Sequence, residues 1–177
     1  MQIGDDDPRR YECHTIATRR AFGTTRRATR TMLGDIEAGA PHPVLTEDQV
    51  VDAVCRALVR DGYSIERQAL ATQRGFDIVA RRDDAKLVIE AKGAGSSKER
   101  TARYGKEFNS NQVFDHVAKA VLKALRVTSS GSAQAAIALP DNASHRREIE
   151  LVAPALRRAD VTVFWVGDDA KVRIESA

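Results

Sequence analysis

Apolar positions between Glu47 and Leu58 recur every three or four residues, at Val50, Val51, Val54, Ala57 and Leu58. That spacing predicts a helix with one buried face. Thr46 is a good N-cap, Glu47, Asp48 and Gln49 suit the positive end of the helix dipole, and Asp61-Gly62 is a stop signal. The period then falls to two. Tyr63 to Gln68 reads as a strand, with Tyr63, Ile65 and Arg67 on one face and Ser64 and Glu66 on the other. Two further runs, Phe76 to Arg81 and Lys86 to Lys92, flank Arg82-Asp83-Asp84-Ala85, the pattern of a β-hairpin with a four-residue loop.

Helical spacing returns from Gln112 to about Val127, with Asn111 as the expected cap and Val113, Val117, Val121, Ala124 and Leu125 on the apolar side. Ala133 to Leu139 is a short apolar run of buried-strand type ending at Pro140. Ser144 to Ala159 is mostly helical with a kink or restart at Pro154, and Val161 to Val166 and Lys171 to Ile174 close the chain as strands, with Trp165 in the core. The order α-β-β-β-α-β-α-β predicts an α/β domain built on one mixed sheet with helices on its faces.

The hairpin carries the chemistry. In a symmetric register free of bulges, Arg81 pairs with Lys86, Val79 with Val88, and Asp77 with Glu90. Cross-strand partners have Cβ atoms about 4.5–5.5 Å apart. At an effective dielectric near 20, two carboxylates placed this way repel by roughly 3 kcal/mol. Lys92 falls on the same face as Glu90, while Phe76, Ile78, Leu87, Ile89 and Ala91 pack the other. A divalent cation taking oxygen ligands from both acids turns the repulsion into binding. The plain alternative is a structural ion cluster of Asp77 and Glu90 with Lys92.

Around the hairpin, three features bear on a ligand. Glu47 lies three and four residues before Val50 and Val51, which puts it on the buried-facing stripe of its helix; it either complements the dipole or points at a site. The stretch after Gly93 is a Gly- and Ser-rich loop followed by Lys98, Arg100, Arg103, Tyr104 and Lys106, placed either to close over a phosphate backbone or as a solvated surface loop. Tyr104 and Phe108 suit apolar pins or base-stacking platforms equally. On the following helix, Gln112, His116, Lys119 and Lys123 recur at four-, three- and four-residue intervals and align as one polar stripe. Glu66 is an alternative acidic ligand if Glu47 points away.

Composition adds a boundary and a lean toward anions. The chain has 177 residues, 42% hydrophobic and 30% charged, with a net charge of +3 and a pI near 9.0, values that suit a soluble globular domain with an anionic partner. Residues 1–43 form an Arg-rich N-terminal arm, with Arg9-Arg10, Arg19-Arg20, Arg26-Arg27 and Arg30 among Thr, Ala and Gly. Such an arm can track a phosphate backbone; it reads equally as an extension, or as translation from a start upstream of Met32. Residues 44–177 form the folded domain. No run approaches the length of a membrane helix and the N-terminus has no apolar signal core, so the expected location is the cytoplasm. Cys13 and Cys55 are too few for a disulfide framework.

Asp77, Glu90, Ala91 and Lys92 stand in the order D-x12-E-x-K on consecutive strands, behind a helix and a strand and ahead of another helix. In this context they resemble the PD-(D/E)XK nuclease superfamily, the restriction-endonuclease-like fold, over roughly Leu45 to Val166. Phe76 stands where the name-giving proline would be, a position that supplies no ligand in that family. The resemblance implies a restriction-endonuclease-like α-β-β-β-α-β core and metal-dependent hydrolysis of phosphodiester bonds in DNA. It implies Mg²⁺, with Mn²⁺ as a substitute, held by Asp77, Glu90 and the backbone carbonyl of Ala91, and Glu47 matching an acid of the first helix. Lys92 would orient the attacking water or steady the transition state, and Gln112, with His116, would position phosphate or water. Lys98, Arg100, Arg103, Lys106, His116 and Lys119 are the candidate DNA contacts, and a homodimer is expected where both strands are cut. The runner-up is a DNA-binding or assembly module that keeps the fold without cleaving.

Overall fold

The computed structural model describes residues 44–69, 75–96 and 106–176. The Arg-rich arm, Lys98, Arg100, Arg103 and Tyr104 lie outside these residues.

The first helix, α1 (Glu47–Arg60), begins as its sequence dictates. The Thr46 hydroxyl accepts from the Gln49 amide at 3.3 Å, and the Gln49 side chain accepts from the Thr46 amide at 2.8 Å, a capping box that satisfies two otherwise orphaned donors. Its stripe of Val50, Val51, Val54, Ala57 and Leu58 is buried. Thr46→Ala should lower stability by about 1 kcal/mol, visible as a fall of about 3 °C in the thermal midpoint; an unchanged midpoint would show that the cap contributes nothing.

Three strands follow: β1 (Ser64–Gln68), β2 (Ile78–Arg82) and β3 (Ala85–Ala91). The hairpin register matches the expectation at Val79–Val88 and Arg81–Lys86. Its turn is tighter than the four residues expected, because Arg82 pairs with Ala85 and only Asp83 and Asp84 are left to turn the chain. Asp83 takes φ 52°, a left-handed conformation that Asp tolerates better than most residues. The ladder's last pair is Ile78–Ile89, so Asp77 sits just beyond it, still in line with Glu90. β1 pairs with β2 through an irregularity between Ile65 and Arg67.

After α2 (Ser110–Ser130) come β4 (Gln134–Pro140), α3 (Ala143–Glu150), α4 (Ala153–Arg158), β5 (Val161–Val166) and β6 (Val172–Ser176). The cap of α2 is Asn109, not Asn111. Pro154 stands in the first turn of α4, where its missing N–H costs nothing, and restarts the helix as expected. The six strands among the described residues lie side by side in sequence order. Neighbours β1, β2 and β3 run antiparallel, β3, β4 and β5 parallel, and β6 antiparallel to β5. The parallel centre is nearly all apolar and buried on both sides, as such strands must be.

α1 packs on one sheet face with Ile78, Ala80, Leu87, Ile89 and Ala91. On the other face α2, α3 and α4 pack against Val88, Ile137, Leu139, Val163 and Trp165. The result is an α/β domain with a mixed six-stranded sheet between helical layers. Among the described residues no helix is long and apolar enough to cross a membrane.

Candidate active site

Glu90 lies on the face of β3 opposite Leu87, Ile89 and Ala91, as alternation dictates, but α2 packs against Val88 on that face too, and Glu90 is 2% exposed on a central strand. Buried carboxylates are rare unless paired. Asp77, 6% exposed, joins it from the end of β2. The Ala91 N–H donates to Asp77 Oδ2 at 2.7 Å, fixing that carboxylate against β3 where the ladder stops.

Lys92 draws the acids together. Its Nζ lies 2.8 Å from Glu90 Oε1, 3.2 Å from Glu47 Oε2 and 3.8 Å from Asp77 Oδ2, and it also donates to the Ala91 carbonyl. A second ammonium arrives from α2, with Lys123 Nζ 2.6 Å from the same Glu90 Oε1. The other oxygen, Glu90 Oε2, is buried and has no partner among the described residues.

Glu47 reaches this centre although α1 covers the opposite sheet face, because the first turn of α1 abuts the end of β3. The Ala94 N–H donates to the Leu45 carbonyl at 2.7 Å. Gly93 makes the approach possible: a Cβ there would lie 2.5 Å from the Glu47 amide nitrogen and 2.8 Å from the Thr46 carbonyl carbon, both backbone atoms. Gly93→Ala should therefore cost about 1–3 kcal/mol through overpacking and separate Glu47 from Lys92. A urea midpoint equal to wild type would show that the approach is looser than described.

Among the described residues, three carboxylates against two ammoniums leave the cluster with a net negative charge. Burial is the main reason the Asp77 pKa rises to about 6; the Ala91 N–H and Lys92 oppose the rise, while Glu90 and Glu47 add to it. For Lys92, burial is the largest influence and pulls its pKa down, but Glu47, Glu90 and Asp77 together more than reverse it, so the ammonium is held charged. Among the described residues no three His, Cys, Asp or Glu side chains stand ready as a metal-holding group; the Lys92 ammonium lies between the acids instead. The donor chemistry nevertheless suits a hard cation: carboxylate oxygens, the Ala91 carbonyl, and an orphaned Glu90 Oε2.

The polar stripe of α2 divides. Gln112 does not serve as a free polar arm: its side chain accepts from the Asn109 amide at 3.1 Å and completes the capping box of α2. His116 is half-buried against Phe108, ring centroids 4.5 Å apart and nearly perpendicular, which makes Phe108 an apolar pin. Burial first, then Lys92 and Lys119, lower the His116 pKa, and its Nδ1 has no partner among the described residues. Lys119 and Lys106 are exposed to solvent. Glu66 is taken up by Arg81, 2.7 Å away on the exposed edge of the sheet, rather than by the site.

Two residues were not singled out for the site by sequence. Lys123 was visible as the last member of the stripe, yet nothing local distinguished it from Lys119. His145, fully buried on α3, donates from Nδ1 to Asn142 Oδ1 at 2.8 Å. Burial, reinforced by His116, pushes its pKa down to about 4, so it is neutral at pH 7. Its only sequence signal was a lone histidine after Asn142, at N3 of a capped helix. No protein-family model matches this chain, and no curated protein matches it significantly in sequence.

Proposed function

We propose that this protein is a metal-dependent nuclease of the PD-(D/E)XK type that hydrolyses phosphodiester bonds in DNA, with Glu47, Asp77, Glu90 and Lys92 as its centre. One observation carries the reading: three acids drawn from three separate stretches of the chain converge on one lysine, and one buried carboxylate oxygen among them finds no partner among the described residues. A purely structural ion cluster gains nothing from an orphaned oxygen, which costs about 1–3 kcal/mol. A cluster built to take a further cation has a use for it.

Mg²⁺, or Mn²⁺ in its place, would be held by Asp77, Glu90 and the Ala91 carbonyl, with Glu47 in reach. It would supply charge neutralisation at the phosphate and make a water more acidic. The chain's own part is positioning. The Ala91 N–H keeps one Asp77 oxygen engaged and so fixes the direction of the other. Lys92, charged and held at the carboxylates, is placed to orient a water or to offset charge that develops on the phosphate. Lys119 and His116 on α2, and Lys106 in the segment before it, suit the phosphate backbone of an approaching strand.

Incubating the full chain with linear, nicked, branched and single-stranded DNA, in Mg²⁺, Mn²⁺ or chelator, tests the reading. Cleavage confined to the metal arms supports it. Tight DNA binding with no cleavage in any metal would replace it with a binding module that keeps the fold.

A further inference from the structure

Glu90 Oε1 is shared by two ammoniums in different circumstances. Lys92 Nζ, at 2.8 Å, is held by three carboxylates and the Ala91 carbonyl, and its side chain is 12% exposed. Lys123 Nζ, at 2.6 Å, is 41% exposed and reaches in from the solvent side of α2. Among the described residues Glu90 is the one acid it pairs with, and it stands in line with Lys119 and His116 on one stripe of α2. Lys92 is thus fixed and Lys123 can leave.

Resting on the nuclease reading, we propose that Lys123 is a positioning residue that guards Glu90: its ammonium helps neutralise Glu90 Oε1 in the free protein and passes to a backbone phosphate of the bound nucleic acid, opening to the divalent cation the side of that oxygen that Lys92 does not hold. Three effects act in the same direction. An ammonium 2.6 Å from the oxygen competes directly with a cation for the same lone pairs. Once a cation is bound, like-charge repulsion drives Lys123 outward. A phosphate backbone then offers it a new anion at the surface, to which its side chain is already 41% exposed. Binding of DNA and binding of the cation become coupled, each favouring the other, because both draw on the displacement of one lysine.

The consequence is a pair of changes that a merely structural lysine would not produce. Without DNA, Lys123→Ala and Lys123→Gln should bind Mn²⁺ about tenfold more tightly than wild type in calorimetric titration, with Lys123→Arg staying near wild type. In chelator, where nothing is cleaved, the same Ala and Gln variants should show a salt dependence of DNA binding shallower by about one phosphate contact. Lys119→Ala should share the shallower slope and leave Mn²⁺ affinity unchanged. Mn²⁺ affinity that is unaltered or weaker in both neutral variants overturns the guarding role, and an unaltered salt slope overturns the transfer to phosphate. If wild type binds Mn²⁺ no better than Asp77→Ala, the nuclease reading falls and this inference with it.

Discussion

Lys92→Met is expected to cost the metal-free protein about 3–5 kcal/mol, because removing one partner of a buried ion cluster leaves the others uncompensated. Methionine keeps most of the stem's volume, so the loss reports the charge. Glu47, Asp77 and Glu90 would then face one another with only Lys123 on Glu90 Oε1. Because the folded-state pKa of Lys92 is raised, its contribution is present throughout the neutral range and is lost only at strongly alkaline pH. Mn²⁺ should raise the melting temperature of Lys92→Met more than that of wild type, since a cation binding only the folded state stabilises it and in the variant it meets three acids that have lost the Lys92 ammonium and keep only Lys123. Cleavage should fall by about 10²–10³-fold with the loss of charge at the reacting phosphate. A Lys92→Met protein as stable as wild type, and indifferent to Mn²⁺, would show that the acids are not the electrostatic unit described.

Asp77→Asn should separate stability from activity in the opposite direction. The Asp77 pKa is raised from 3.8 to about 6 in the folded protein. Between those values the folded state binds more protons than the unfolded one, so stability falls as pH rises through the window, and the penalty is complete above about pH 6. At 1.36 kcal/mol per unit the penalty is roughly 3 kcal/mol. Asparagine removes the charge and can still accept from the Ala91 N–H. The variant should therefore match wild type near pH 4 and exceed it by about 2–3 kcal/mol at pH 7, while cleaving at background. His145 acts with the other sign: its folded pKa is depressed to about 4, so its contribution is present above 6.5 and lost as pH falls toward 4. It is common to both proteins, and the difference between their pH profiles in urea unfolding isolates Asp77. A constant difference across the pH range would contradict the assignment.

The hairpin was legible because apolar alternation and a polar break fix a register that brings Asp77 and Glu90 into line, and the structure keeps that register. The turn was misjudged by two residues because Asp83 accepts φ 52°, a choice that composition around Arg82 and Ala85 does not reveal. The α1 stripe and its cap were readable for the usual reason, local signals that agree with burial. The α2 cap was not, since Asn109 and Asn111 both suit the role; the deciding signal was Gln112 three residues after Asn109. That same signal removes Gln112 from the list of free polar groups.

What sequence could not supply was crossing geometry. Glu47 meets Lys92 only because Gly93 lets the start of α1 press against the end of β3. Lys123 rather than Lys119 meets Glu90 because of where α2 lies over β3 and β4, and helical spacing does not encode that placement.

The most direct test of the central claim is single-turnover cleavage of labelled DNA by wild type and Asp77→Asn at equal concentration, in Mg²⁺ and in chelator. Metal-dependent cleavage by wild type and background cleavage by a folded Asp77→Asn is the predicted result. Equal cleavage by the two proteins, or cleavage that survives chelation, would contradict a metal-dependent centre at Asp77, Glu90 and Lys92.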